Sequence, residues 1–307
     1  MNINIISKRA INKHQVYDLV YEWEDDLASG FNAKIIKRPA YFFCYRIFSV
    51  PIKVINKILN KTISFDSLTT LMDDIWLKLF DTDTDRIYLR IDIFPVKEKY
   101  FQLARAKKKV IPWIIDFDKS VDIKNLENVY NEYLFVMVSS KNAVDYLKKN
   151  NCSLKIKYFP LFLPKKRAFI KGQFLNDKRY DLILPGRPNK TILKWLKVFS
   201  KEHSLFEYFT YSDIDNRSVY ISNKGGVVPC KSRKQYLSLL KKCKIGIYST
   251  QGVDGSIVSL DHITIKLFEL ISCGCLVIGK YPETEDSKSM LLTGIISKAD
   301  SYTDCSM

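Results

Sequence analysis

Glycine and proline are scarce in this chain, at 11 and 10 of 307 residues, which excludes collagen-like and low-complexity classes. Histidine is scarcer still: His14, His203 and His262 stand far apart and near no cysteine pair with metal spacing. The seven cysteines contain no C-x-x-C pair, and Cys273-Gly-Cys275 lacks the spacing of a zinc knuckle. No metal is therefore expected, and reduced thiols in a cytoplasmic protein are the simplest account. No run approaches about 18 uninterrupted apolar residues, so no membrane span is expected. The first residues, MNINIISKRAINKHQ, are too polar for a signal peptide.

What is abundant is positive charge. The net charge is +16, but arginine supplies only 11 of the basic residues against 38 lysines. Such an excess suits a polyanionic partner: nucleic acid, an anionic membrane face or a phosphorylated substrate. A lysine-rich chain that is also rich in Ile, Asn, Phe and Tyr equally reflects an AT-biased coding sequence. The hydrophobic fraction of 47% supplies ample material for packed cores.

Short apolar runs alternate with amphipathic segments along most of the chain. The strands expected are Ile3 to Ile6, Ala33 to Ile36, Arg86 to Ile91, Val110 to Phe117 and Tyr133 to Val138, with helices over Gln15 to Leu27 and Asn142 to Lys149. Pro160-Leu-Phe-Leu-Pro164 and the basic stretch after it read as a break. Beyond it come strands over Tyr180 to Leu184, Phe206 to Tyr211, Ile245 to Ser249 and Leu276 to Ile278. Helices fall over Lys190 to Phe199, Ser232 to Cys243 and Thr264 to Ser272. This alternation predicts an α/β fold with parallel sheets. Two Rossmann-like domains are expected: 1–164, a linker at 165–178, and 179–307, the last abbreviated or truncated, since only 29 residues follow Ile278.

One segment stands apart. Pro39 to Phe65 is crowded with aromatics and interleaved with Arg46, Lys53, Lys57 and Lys61. It reads either as an inserted core-packing helix pair or as an interfacial surface among lipid headgroups. Aromatics with basic residues also grip single-stranded nucleic acid, but no recognition module accompanies them.

The chemistry concentrates in the second half. A loop carrying Asp254, Gly255 and Ser256 leads towards a helix start, where backbone amides and small residues suit a diphosphate. Asp261 and Glu269 stand eight apart, from the approach to that helix to its middle, and a carboxylate there suits sugar or ribose hydroxyls.

This passage resembles the nucleotide-sugar-dependent glycosyltransferases of GT-B fold, in particular the retaining group with a C-terminal Glu-x7-Glu motif. Asp261-x7-Glu269 occupies the motif, and Lys266, Glu269, Gly274, Val277 and Ile278 match its wording K-x-x-E-x-x-A-x-G-x-P-V-I. Leu184-Pro-Gly186-Arg187-Pro-Asn-Lys190 resembles the family's strand-end Gly-Arg…Lys element, and Tyr133 to Leu147 its last N-terminal strand and helix. Two departures stand out: the first acid is Asp, and Ser7-Lys8-Arg9 replaces the Gly-rich turn after the first strand.

The resemblance implies two Rossmann-like domains facing each other across a cleft, and metal-independent transfer of a sugar from a nucleotide-diphosphate donor. Arg187 and Lys190 would neutralise the leaving diphosphate beside Gly186 and Lys266. Glu269 would hold the ribose, Asp261 the donor sugar, and Asp254, Gly255 and Ser256 the phosphate loop. Asp116 and Asp118, at a strand's C-terminal end, and His14, just past the first strand, are candidates on the acceptor side. The partners implied are a nucleotide sugar as donor substrate, with no other cofactor, and a surface-glycan or glycolipid acceptor. An anionic membrane surface on the cytoplasmic side is a further expected partner, and nucleic acid is not. A catalytically silent sugar- or nucleotide-binding homologue and a nucleotide-sugar epimerase are the alternatives, with a basic nucleic-acid-binding protein a remoter one.

Overall fold

The computed structural model describes residues 2–7, 9, 16–37, 86–93, 109–167, 177–214, 217–250 and 260–306. His14, Asp254, Gly255, Ser256 and the Pro39 to Phe65 segment lie outside the described residues. The chain divides into two units, residues 1–139 with 143–160, and residues 140–142 with 161–307.

The first unit is built on a parallel six-stranded sheet of order β2-β1-β3-β4-β5-β6. Its strands are β1 (Asn2–Ser7), β2 (Lys34–Lys37), β3 (Arg86–Asp92), β4 (Val110–Ile114), β5 (Val136–Val138) and β6 (Ile156–Tyr158). Helix α1 (Val16–Phe31) packs on β1 and β2 because Val20, Trp23 and Leu27 recur on one face and are buried. Trp23 meets the Trp113 ring at 5.4 Å, and the Trp113 indole donates to the Phe159 carbonyl at 3.1 Å. Helices α2 (Ile123–Tyr130) and α3 (Lys141–Lys149) follow β4 and β5. Asp122 caps α2, accepting from the amides of Lys124 and Asn125.

Within this unit Arg90 and Asp92 are buried together on one face of β3. The guanidinium donates to Asp92 Oδ2 from Nε at 3.0 Å and from Nη2 at 2.7 Å, while Tyr130 adds its hydroxyl at 3.3 Å. A buried pair holds only when its hydrogen bonds are met, and Tyr133 contributes to that by accepting from Arg90 Nη1 at 3.2 Å.

The second unit carries a seven-stranded sheet, β10-β9-β8-β7-β11-β12-β13. The strands are β7 (Tyr180–Leu184), β8 (Tyr208–Ile214), β9 (Arg217–Ser222), β10 (Val227–Pro229), β11 (Cys243–Ser249), β12 (Leu276–Lys280) and β13 (Ser297–Lys298). From β8 to β13 the pairing is parallel, and β9 and β10 add an antiparallel edge. Its helices are α4 (Lys190–Glu202), α5 (Arg233–Lys242), α6 (Ile265–Ser272), α7 (Glu285–Ser289) and α8 (Tyr302–Ser306).

Alternation along the strands builds two cores. Ile183, Tyr248 and Val277 point to α5 and α6, and Leu182, Leu184 and Ile247 point to α4. Gly246 of β11 admits α6 closely: a Cβ there would stand 2.9 Å from Leu270 Cδ1.

The architecture is mixed α/β with two parallel-rich sheets. Several elements differ in extent from the periodicity. The strand expected to Phe117 ends at Ile114, and that expected from Tyr133 begins at Val136, because the Tyr133 amide closes a turn onto the Tyr130 carbonyl. The hairpin of β9 and β10 was not expected, although Gly225, at φ +86° in its turn, marks it.

Four cysteines, Cys230, Cys243, Cys273 and Cys275, are buried in the second unit as free thiols. Burial pushes Cys273 up to about 12 and Cys275 to about 11, so they pack rather than react. Two of them end helices. Lys178 Nζ donates to the carbonyls of Cys243 at 2.7 Å and Cys273 at 2.9 Å, tying the C-termini of α5 and α6 with one cation. Lys178→Met is expected to lower stability by about 1–2 kcal/mol. An unchanged urea midpoint would show that the two bonds contribute nothing.

Candidate functional site

In an open α/β sheet ligands bind beyond the carboxyl ends of the strands, where the order reverses. In the second unit β8 lies on one side of β7 and β11 on the other, so the reversal falls between β7 and β11. Strand β7 ends at Leu184 and passes through Pro185-Gly186-Arg187-Pro188 into α4. Gly186 takes φ +71°, a left-handed turn that glycine makes without penalty. Asn189 caps α4, its side chain accepting the Ile192 amide at 3.1 Å. Lys190 is the first helical residue, and Arg187 and Lys190 are exposed with no ion-pair partner among the described residues.

Lys266 reaches this turn from α6. Its side chain lies against Gly186, where a Cβ would come within 2.7 Å of Lys266 Cε. The structure thus brings Gly186 and Lys266 together at the β7 end, close in sequence to Arg187 and Lys190. Thr264 begins α6 without a side-chain cap, and its own amide donates to the Tyr248 hydroxyl at 3.0 Å. Burial pushes the Tyr248 phenol up to about 12, so it stays neutral. The first-turn amides of α6 therefore have no side chain acting as their cap.

Asp261 precedes α6 at φ +51°, a conformation aspartate tolerates better than most residues. Thr250, just past β11, donates to Asp261 Oδ1 at 3.4 Å, and Asn142 Nδ2 donates to the Leu260 carbonyl at 2.9 Å. Asp261 thereby stands by the end of β11, the other strand of the reversal.

Glu269 is placed differently from the ribose-binding expectation. Its side chain is 2% exposed; Arg233 Nη1 pairs with Oε1, and the Tyr236 hydroxyl donates to Oε2 at 3.3 Å. Burial raises its carboxyl above the ordinary range, while Arg233 and Tyr236 pull it down. The carboxylate is an internal anchor because α6 packs against α5, and Arg233 and Tyr236 share one face of α5. The Tyr236 ring stacks on Tyr220 at 5.9 Å, and the Tyr220 hydroxyl accepts the Gly186 amide at 3.0 Å. Glu269 and Lys266 are three apart on α6, so the contacts close a ring: Gly186, Tyr220, Tyr236, Glu269, Lys266 and back to Gly186.

Tyr220, Arg233, Tyr236 and Thr250 were not singled out by the sequence. The spacing of Arg233 and Tyr236 after the Ser232 cap marks one helical face, whereas nothing local marks Tyr220. In the first unit Asp118 accepts from the Ser120 amide at 2.8 Å in a local turn, and the Asp116 amide donates to the Ile93 carbonyl at 2.8 Å. Among the described residues no group of three or more His, Cys, Asp or Glu converges as a metal site requires. No helix among them is long and apolar enough to cross a membrane.

No protein-family model matches the chain, and no match to it was found among the curated proteins. Among solved structures it is similar to the glycotransferase of kitacinnamycin, at a TM-score of 0.39 and 9% identity, over 99% of this chain and 88% of that one.

Proposed function

We propose that the second unit binds the diphosphate of a nucleotide sugar and that the protein is a glycosyltransferase of the GT-B type. The observation that carries this reading is Lys266 lying across Gly186 at the strand-order reversal, with Arg187 in the same turn and Lys190 opening α4. Three cations beside two helix N-termini suit a diphosphate, since amide dipoles and positive charge act on the same oxygens.

Catalysis would rest on charge development. As the glycosidic bond to phosphate breaks, negative charge grows on the leaving diphosphate, and Lys266, held against Gly186, stabilises it with Arg187 and Lys190 in support. Asp261 would accept hydrogen bonds from donor-sugar hydroxyls. Glu269 would act at one remove, holding Lys266 in place through α6. The resemblance favours retention, with the departing phosphate oxygen taking the acceptor proton. The acceptor we propose is a glycan or glycolipid at an anionic membrane surface, on the strength of the aromatic and basic segment from Pro39 to Phe65.

Thermal unfolding with a panel of nucleoside diphosphates, in EDTA and again with magnesium, tests the reading. At least one is expected to stabilise in EDTA, by about 2.7 kcal/mol at a hundredfold excess over Kd. No response to any of them would overturn it. Binding without release of nucleoside diphosphate from any nucleotide sugar would instead assign the silent homologue.

A further inference from the structure

The opposite face of the second unit's sheet holds a feature the sugar-transfer reading does not use. Between α4 and strands β7, β11 and β12 lies a cavity of about 250 Å³. Its walls include Trp195 and Phe199 of α4, Ile247 of β11, Leu276 and Ile278 of β12, and Tyr302 of α8. The polar side-chain atoms on its walls are the Trp195 indole nitrogen and the Tyr302 hydroxyl, and the latter donates to Glu202 Oε2 at 2.8 Å. A water needs two to four polar partners, so these walls do not suit a water cluster. An apolar cavity of roughly 150 Å³ lined by Leu, Ile and Phe takes up benzene, and this one is larger.

A charge stands beside Trp195. Lys280 stands two residues beyond Ile278 on β12, so both side chains leave the same face of the sheet. Its ammonium lies over the Trp195 ring, 4.7 Å from the centroid, and no carboxylate among the described residues pairs with it. An apolar chamber with a cation stacked on one of its lining rings fits a ligand with a hydrocarbon tail and an anionic head. At about 30 Å³ per small group, the volume holds a tail of roughly eight carbons. Leu276, which lines the cavity, is itself 63% exposed, so the cavity is open to solvent beside it.

We propose that this cavity binds a free medium-chain fatty carboxylate, its tail between α4 and β12 and its carboxylate on Lys280.

Calorimetric titration of the full chain with fatty carboxylates of six to sixteen carbons, and with 1-decanol, tests this. Affinity is expected to rise about fourfold per methylene and level off once the tail passes about eight carbons. Lys280→Met should weaken decanoate at least fivefold and leave decanol unchanged. Leu276→Trp, which fills the opening from an exposed position, should weaken both at least tenfold. Circular dichroism confirms that each variant keeps its fold. The proposal is overturned by any of four results: no binding below millimolar decanoate, full affinity in Leu276→Trp, equal effects of Lys280→Met on both ligands, or binding to anionic vesicles alone.

Discussion

Arg233→Met is expected to lower stability by about 3–5 kcal/mol, the cost of leaving a buried carboxylate without its countercharge. Glu269 is 2% exposed, and the Arg233 side chain itself is 9% exposed, so water cannot replace the lost guanidinium. Urea unfolding should show the midpoint fall, and Glu269→Gln in the same background should recover most of it by removing the charge. The pH dependence has a definite sign. Burial raises the Glu269 carboxyl above its unfolded value, so the folded protein holds that proton more tightly. The stability tied to this group is full below the unfolded value and declines as pH rises through the folded one. Removing Arg233 moves the folded value higher, so the variant's deficit should be largest at neutral pH and shrink on acidification. A deficit independent of pH between 4 and 8 would show that the buried charge is not its cause.

Lys266→Met is expected to weaken nucleoside-diphosphate binding about 30- to 100-fold, or roughly 2–3 kcal/mol. Lys266 is half-buried against Gly186, so its charge is less screened than those of the exposed Arg187 and Lys190. Arg187→Ala should therefore cost only a few-fold. Gly186→Val attacks the same contact from the other side. A β-branched residue is strained at φ +71°, and its Cβ would press on the lysine stem at 2.7 Å. The two variants should match in affinity loss, with Gly186→Val also less stable. Unchanged affinity in Lys266→Met, measured by calorimetry, would remove the diphosphate from this turn.

How much of this was legible depended on the range of the interaction. Strands such as Tyr180 to Leu184 declare themselves because Leu182, Ile183 and Leu184 alternate between two cores within three consecutive residues. Ser232 marks a helix start for an equally local reason, its side chain accepting the Gln235 amide. The Gly186 turn is visible as glycine between two prolines after an apolar run. The surroundings of Glu269 were not legible because they are made by Arg233, on another helix 36 residues earlier.

From the sequence alone came the alternation of strands and helices, the glycine turn with its cations, and the absence of metal-spaced cysteines. These depend on periods of two and 3.6 residues and on short spacings, which neighbours along the chain determine. Only the tertiary structure decided that β7 and β11 flank the reversal, that Lys266 crosses to Gly186, and that Glu269 turns inward. Strand order and helix packing bring together residues tens of positions apart, and no local pattern carries that information.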